Sequence, residues 1–273
     1  MIYSLTGVTK QYRAQDGLVR ALDGITFGIS PGECVALIGK SGAGKSTLFR
    51  LLNATQRPTT GLLEFGGFDV GQMSNRKLRG MRCSIGTVYQ QHHLVPSLSV
   101  LDNTLCGYLG RWTLLQTLRN SFRPPRHEVE EAMLVLEAVG LADKRRSRAD
   151  ELSGGQQQRL AIARALMNKP EVILADEPVA SLDPALAESI TSLLVNIATE
   201  TKRTLIVSLH AVDLARHFFP RVVALRDGQL AFDVNSNCLD QDIVNEVFLN
   251  ASSNLTHRGQ PDVKRWSRIN CTC

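Results

Sequence analysis

A glycine-rich stretch, Gly39-Lys40-Ser41-Gly42-Ala43-Gly44-Lys45-Ser46-Thr47, carries the spacing Gly-x-x-x-x-Gly-Lys-Ser. These residue types at this spacing suit phosphate. Glycines let the backbone close around an anion with its N–H groups inward, and a helix starting at the last glycine adds the positive end of its dipole. Lys45 is then placed to reach the β- and γ-phosphates of a nucleotide, and the Ser46 hydroxyl to ligate Mg²⁺. A second stretch, Val172-Ile173-Leu174-Ala175-Asp176-Glu177, is an apolar run ending in two carboxylates. Asp176 at a strand end suits Mg²⁺, and Glu177 beyond it suits a general base that orients an attacking water. A third, Leu152-Ser153-Gly154-Gly155-Gln156, opens a helix that runs on to Leu166. Ser153 can cap it and the glycines can permit close packing, but glycine inside a helix costs roughly 1 kcal/mol against alanine. Close approach of that backbone to a phosphate would explain the glycines. No task for them within their own subunit is evident, which suggests a site completed by a second copy of the chain.

The elements that must position these groups follow from pattern. Residues 2–9 and 20–29 alternate like antiparallel strands joined around Gln15-Asp16-Gly17, and 33–38 is a short apolar run suited to a buried strand ending at Gly39. A helix should start near Gly44 with Leu48, Leu51 and Leu52 on its inner face, and strands should follow at 61–65 and 84–89. From about 92 to 167 the pattern turns helical; residues 127–139 place Val129, Met133 and Leu136 on one face, with Gly140 as the stop. Strands return at 171–175, 204–208, 221–225 and 229–233, with helices at 184–200 and 211–218 between them. A last helix is expected over 239–249. Alternating strands and helices imply a parallel core sheet. The expected organisation is an α/β nucleotide-binding domain over 1–250, with the helical stretch 92–167 inserted into it and a polar tail over 251–273.

With 273 residues, 43% of them hydrophobic, the chain can bury a full core, and 21% charge with 10 prolines argues against disorder. The first residues lack a positive segment followed by an apolar one, and no apolar run approaches the roughly 18 residues of a membrane span. A membrane role would therefore act through a partner chain. The six cysteines, at 34, 83, 106, 238, 271 and 273, form no Cys-x-x-Cys pair and read as reduced thiols. Net charge is +5, with basic clusters at 76–79, 144–148 and 264–268. They read as solvated surface first and as attraction to anionic lipid second. They are short, and only the last holds an aromatic residue, Trp266, so no nucleic-acid partner is expected.

The three motifs together resemble those of the nucleotide-binding subunits of ATP-binding cassette (ABC) transporters, with Leu152 to Gln156 as the family signature and a likeness spanning about residues 1–250. The resemblance implies a P-loop ATPase fold with a RecA-like parallel-sheet core, an N-terminal antiparallel β-subdomain and the inserted helical subdomain. It implies ATP and Mg²⁺ as cofactors and a head-to-tail homodimer, in which Ser153, Gly154, Gly155, Gln156 and Asp183 of one copy face the ATP of the other. Position by position, it makes Tyr12 the aromatic that stacks on adenine, Gln90 the glutamine that contacts Mg²⁺ and senses the transmembrane partner, and His210 the histidine at the γ-phosphate. Ser181-Leu182-Asp183 becomes the loop coupling the two sites. Read as residues alone, Tyr12 could be packing, Asp183 an N-cap, and His210 structural; Gln91 beside Gln90 leaves the register open. His92 and His93 match no motif and read as surface or subdomain contacts. Lys40 stands where many relatives have proline, at a position that tolerates variation.

The wording around the motifs narrows the resemblance. Val179-Ala180 within Ala175 to Pro184, Ser208-Leu209-His210-Ala211-Val212-Asp213, and an insertion from Gly107 to Pro125 are similar to those of the phosphonate-import ATPases. That resemblance implies ATP hydrolysis coupled to uptake of phosphonate, phosphite or a related phosphorus compound. It also implies transmembrane permease subunits, a periplasmic or lipid-anchored solute-binding protein, and a peripheral location on the cytoplasmic face of the inner membrane. Alternatives are a cassette for another importer (phosphate, amino acid or metal) or an exporter. More distant is a soluble non-transport cassette, which would usually carry two cassettes or a coiled-coil insertion.

Overall fold

The computed structural model describes residues 1–14 and 17–239. The chain opens with β1 (Tyr3–Ala14) and β2 (Gly17–Ile29), longer than their alternation alone suggested because they continue pairing out to Ala14 and Gly17. β3 (Cys34–Ile38) is buried at every position and leads through the glycine loop to α1 (Lys45–Leu52). β4 (Thr60–Phe65) and the two-residue β5 (Phe68–Asp69) follow. The helix α2 (Asn75–Cys83), which the pattern did not announce, precedes β6 (Ile85–Val88).

Between β6 and β7 lie α3 (Val100–Leu105), α4 (Leu114–Phe122), α5 (Arg126–Ala138) and α6 (Gly154–Leu166), with short 3₁₀ turns between them. α5 ends as expected: Gly140 takes φ +71°, and Leu141 N donates back to Leu136 O at 2.8 Å. β7 (Val172–Asp176), α7 (Pro184–Glu200), β8 (Thr204–Leu209), α8 (Val212–Phe218), β9 (Arg221–Arg226) and β10 (Gln229–Asn235) complete the order. The helix expected over 239–249 lies, apart from Leu239, outside the described residues, as do the polar tail, Cys271 and Cys273.

Two sheets result. The first is antiparallel, ordered β2-β1-β4-β5; the second is ordered β10-β9-β3-β8-β7-β6, parallel except for β10 against β9. Strand alternation divides the core between the faces of the larger sheet. Ala36, Ile38, Ile173, Ala175, Leu205 and Val207 pack under α6, α7 and α8. Val35, Leu37, Val172, Leu174 and Ile206 face α1 and the antiparallel sheet. β3 runs at the centre, flanked by β8 and β9, so its loop leaves the carboxyl end of the sheet beside the ends of β7 and β8. Gly228, in the turn between β9 and β10, donates to Ala43 O at 3.1 Å and accepts from Asp23 N at 2.8 Å. One residue thus ties the glycine loop to the antiparallel sheet.

Candidate functional site

The loop after β3 ends at Gly44, whose φ of +104° and closeness to Ala21 O (2.7 Å from where a Cβ would sit) admit no side chain. Gly44 caps α1 without offering a side-chain acceptor, and the first intrahelical bond is Leu48 N to Gly44 O at 2.9 Å. The amides of Lys45, Ser46 and Thr47 are therefore the open donors of a helix start, where an anion is favoured by hydrogen bonding and by the dipole. Lys45 is 4% exposed; its Nζ donates to Gly39 O at 2.8 Å and Lys40 O at 3.2 Å. Burial pulls its pKa down, and the negative charges of Glu177 and Asp176 act against that.

Opposite the loop stand the two carboxylates. Asp176 ends β7, and Glu177 leaves it with φ +50°, a left-handed backbone uncommon for a residue with a side chain. What holds this turn is Ser208, fully buried on the neighbouring β8. Its Oγ donates to Asp176 Oδ1 at 2.8 Å and accepts from Glu177 N at 2.7 Å. Glu177 Oε1 then lies 2.6 Å from His210 Nε2 and 3.7 Å from Lys45 Nζ. The small cleft so formed is walled by Ser41, Gly42, Gly44 to Thr47 and Glu177. The sequence reading did not assign Ser208 a part in this site. Its signal was there: one hydroxyl in the otherwise apolar centre of a fully buried strand.

Other candidate residues lie apart from the cleft walls. Register pairs Val88 with Ala175, so Gln90, exposed two residues past β6, leaves the sheet next to Asp176's strand end. The segment beyond it is pinned to α6: Arg164 donates to His92 O at 2.7 Å and His93 O at 2.5 Å. Tyr12 is half-buried on β1 with its hydroxyl bonded to the Gln56 side chain, and Lys10 Nζ sits 5.4 Å from its ring centroid. Asp183 caps α7, accepting from Leu186 N at 3.0 Å.

The glycine-rich start of α6 has local tasks of the kind the capping and close-packing reading of its residues allowed. Ser153 and Gln156 form a reciprocal capping box. Gly155 is buried, and a Cβ there would stand 2.6 Å from Leu186 Cδ2 on α7. Gly154 differs from both. It is exposed, its φ is not left-handed, and a Cβ would meet nothing within 4 Å.

A family model described as ABC transporter matches residues 22–180, more than half of the chain. The chain belongs to the ABC transporter family. Among curated relatives, the "Phosphonates import ATP-binding protein PhnC" of Frankia casuarinae is 47% identical over 234 residues, 86% of this chain and 90% of the relative. "Phosphonates import ATP-binding protein PhnC 2" of Haloarcula marismortui is 38% identical over 258 residues, 94% and 93%. Among solved structures, the dimeric bacterial ABC transporter cassette MJ0796 matches with a TM-score of 0.75 at 32% identity, covering 86% of this chain and 98% of that one. The dimeric post-hydrolysis state of that cassette, bound to ADP and Pi, matches with a TM-score of 0.72. The loop, the carboxylate pair and His210 thus stand in a P-loop ATPase of the ABC class that binds nucleotide. No helix among the described residues is long and apolar enough to cross a membrane.

Proposed function

We propose that the chain is the ATP-hydrolysing subunit of a phosphonate importer, working as a pair of identical cassettes on the cytoplasmic face of the inner membrane. The observation that carries the catalytic part is the convergence of Lys45, His210 and the Glu177 carboxylate across one cleft, with Asp176 behind it. In this reading Lys45 and the amides of Gly42 to Thr47 cradle the phosphates, with Gly39 to Ser41 forming the loop's entry. Tyr12 supports the adenine. Glu177, oriented by His210, holds the attacking water and takes its proton. His210 reaches the γ-phosphate.

The donors fit Mg²⁺. Ser46, Gln90 and Asp176 offer a hydroxyl, an amide oxygen and a carboxylate with Ser208 engaging only Oδ1, and among the described residues no cluster of three His, Cys, Asp or Glu could hold a metal alone. Such a sparse oxygen set suits an ion carried largely by the phosphates it neutralises.

Gly154, whose lack of a side chain nothing in its own subunit requires, supports the second copy: the start of α6, with Asp183, covers the neighbour's nucleotide. Within an ATP-binding domain of 1–250, the 92–126 region of the inserted helical stretch 92–167 passes motion to the permease, and a solute-binding protein delivers cargo from the other side. The phosphonate assignment rests on the relatives' names and lengths of match, and phosphite or a related phosphorus compound falls within it.

The test is ATP turnover of the complex reconstituted with its permease and solute-binding protein. Phosphonate should stimulate it, and Glu177→Gln should lower it by roughly 10²–10⁴ while trapping an ATP-bound dimer. Wild-type turnover in Glu177→Gln would sink the catalytic assignment; stimulation only by an unrelated solute would sink the substrate.

A further inference from the structure

Helix α4 is built the wrong way round for a helix of a soluble core. Leu114, Leu115, Leu118 and Phe122 are 78%, 79%, 57% and 90% exposed, whereas the polar Asn120 is buried and Thr117 half-buried. At 3.6 residues per turn the four apolar side chains share an arc of about 100°, opposite the side that carries Asn120. The helix is nonetheless firmly set. Thr113 and Gln116 form a capping box at its start. Just before it Trp112 is buried beside the Tyr108 ring, 6.0 Å between centroids, and donates to Glu128 Oε1 at 3.1 Å.

Charge indicates what covers this face. From Asn103 to His127 the sequence holds four arginines (111, 119, 123 and 126) and no carboxylate. Arg119 bonds to the neighbouring Asn120 amide, and Arg126 pairs with Glu130 on α5. Arg119 lies beside the apolar arc, about 40° past Leu115, and Arg123 follows directly as the residue that ends the helix. A second copy of this surface would set arginine against arginine, and the chain's own tail carries Lys264, Arg265 and Arg268, again of the same sign. An apolar arc edged by arginine matches an anionic bilayer surface, which takes leucine and phenylalanine into the acyl boundary and pairs arginine with headgroup phosphates. The geometry points to α4 as an interfacial anchor that holds this subunit directly against anionic lipid beside its permease.

The test is co-sedimentation of the purified full chain with phosphatidylcholine vesicles, with and without phosphatidylglycerol. The wild type should bind the phosphatidylglycerol vesicles at least about tenfold more tightly, and less so in high salt. Leu118→Ser with Phe122→Ser should weaken that binding by roughly tenfold or more. Arg119→Ala with Arg123→Ala should remove most of the lipid preference, roughly 10- to 30-fold at about a factor of five per arginine. Thermal unfolding and ATP turnover in solution should stay at wild-type values for both variants, so failure here leaves the ATPase assignment standing. Equal binding to both vesicle types overturns the proposal. So does binding that both variants retain, which would place it on another basic stretch such as 264–268. Variants that bind vesicles normally but no longer stay with the permease would make α4 a protein-docking face and overturn it as well.

Discussion

Two adjacent glycines at the start of α6 should respond differently to the same methyl group. Alanine at 154 meets no atom within 4 Å and needs no left-handed backbone. It removes conformational freedom from the unfolded chain and should stabilise the folded subunit by about 0.4–1 kcal/mol. For a chain of this size that corresponds to a rise in Tm of about 1–4 °C. If the partner's nucleotide lies against this backbone, the same methyl intrudes on a close contact at a cost of about 1–3 kcal/mol, or roughly a 5- to 150-fold loss of ATP turnover. Gly155→Ala is the internal control. Its Cβ would stand 2.6 and 2.8 Å from the two δ-carbons of Leu186, a half-buried side chain that must turn aside at about 0.5–1.5 kcal/mol, so it should be less stable than Gly154→Ala by about that amount. The assays are thermal unfolding without nucleotide, steady-state ATP hydrolysis, and ATP-dependent dimerisation in a Glu177→Gln background. Turnover of Gly154→Ala within twofold of wild type would refute the close approach. A lower Tm for the same variant would refute the reading of its surroundings.

Ser208→Ala removes the hydroxyl that positions both carboxylates and leaves the Glu177 amide without its acceptor. Stability should fall by about 1–3 kcal/mol, and kcat should drop at least tenfold with little change in KM for ATP, both read from one preparation by denaturation and kinetics. Arg221 donates to both oxygens of Asp233 at 2.7 and 2.6 Å and to Glu33 at 2.7 Å, tying β9 to β10 and to the start of β3. Arg221→Ala should cost about 2 kcal/mol or more in urea unfolding while leaving the cleft's chemistry intact. Asp183→Asn keeps a good N-cap and should change stability by less than about 0.5 kcal/mol. A loss of ATP-dependent dimerisation would then separate the partner-facing role proposed for Asp183 from its capping, which Asp183→Ala would confound.

The sheet and the cleft were legible because their signals are local. β3, β7 and β8 are apolar runs, and the phosphate loop and carboxylate pair sit at their ends. What the sequence hid depends on distant neighbours. α2 buries only Leu78 and Met81, a stripe too thin to stand out from its basic residues, which read as surface charge. Gly154 and Gly155 are indistinguishable as letters; Leu186, thirty-odd positions away on α7, sets them apart. The leucines of α4 give an ordinary amphipathic pattern, and periodicity alone cannot say which face turns outward. Ser208 was visible as a polar break in β8, but its two bonds require knowing that β7 lies alongside.

Gly228 bonds the phosphate loop through Ala43 on one side and β2 through Asp23 on the other. Under the proposed role of Tyr12, the base and phosphate ends of ATP would be held by two sheets already locked together at this turn. Nucleotide arrival would then do no work in aligning them, and its binding energy would remain available for drawing the two subunits together. The cassette would be stiff along the length of its fuel and would yield only across it.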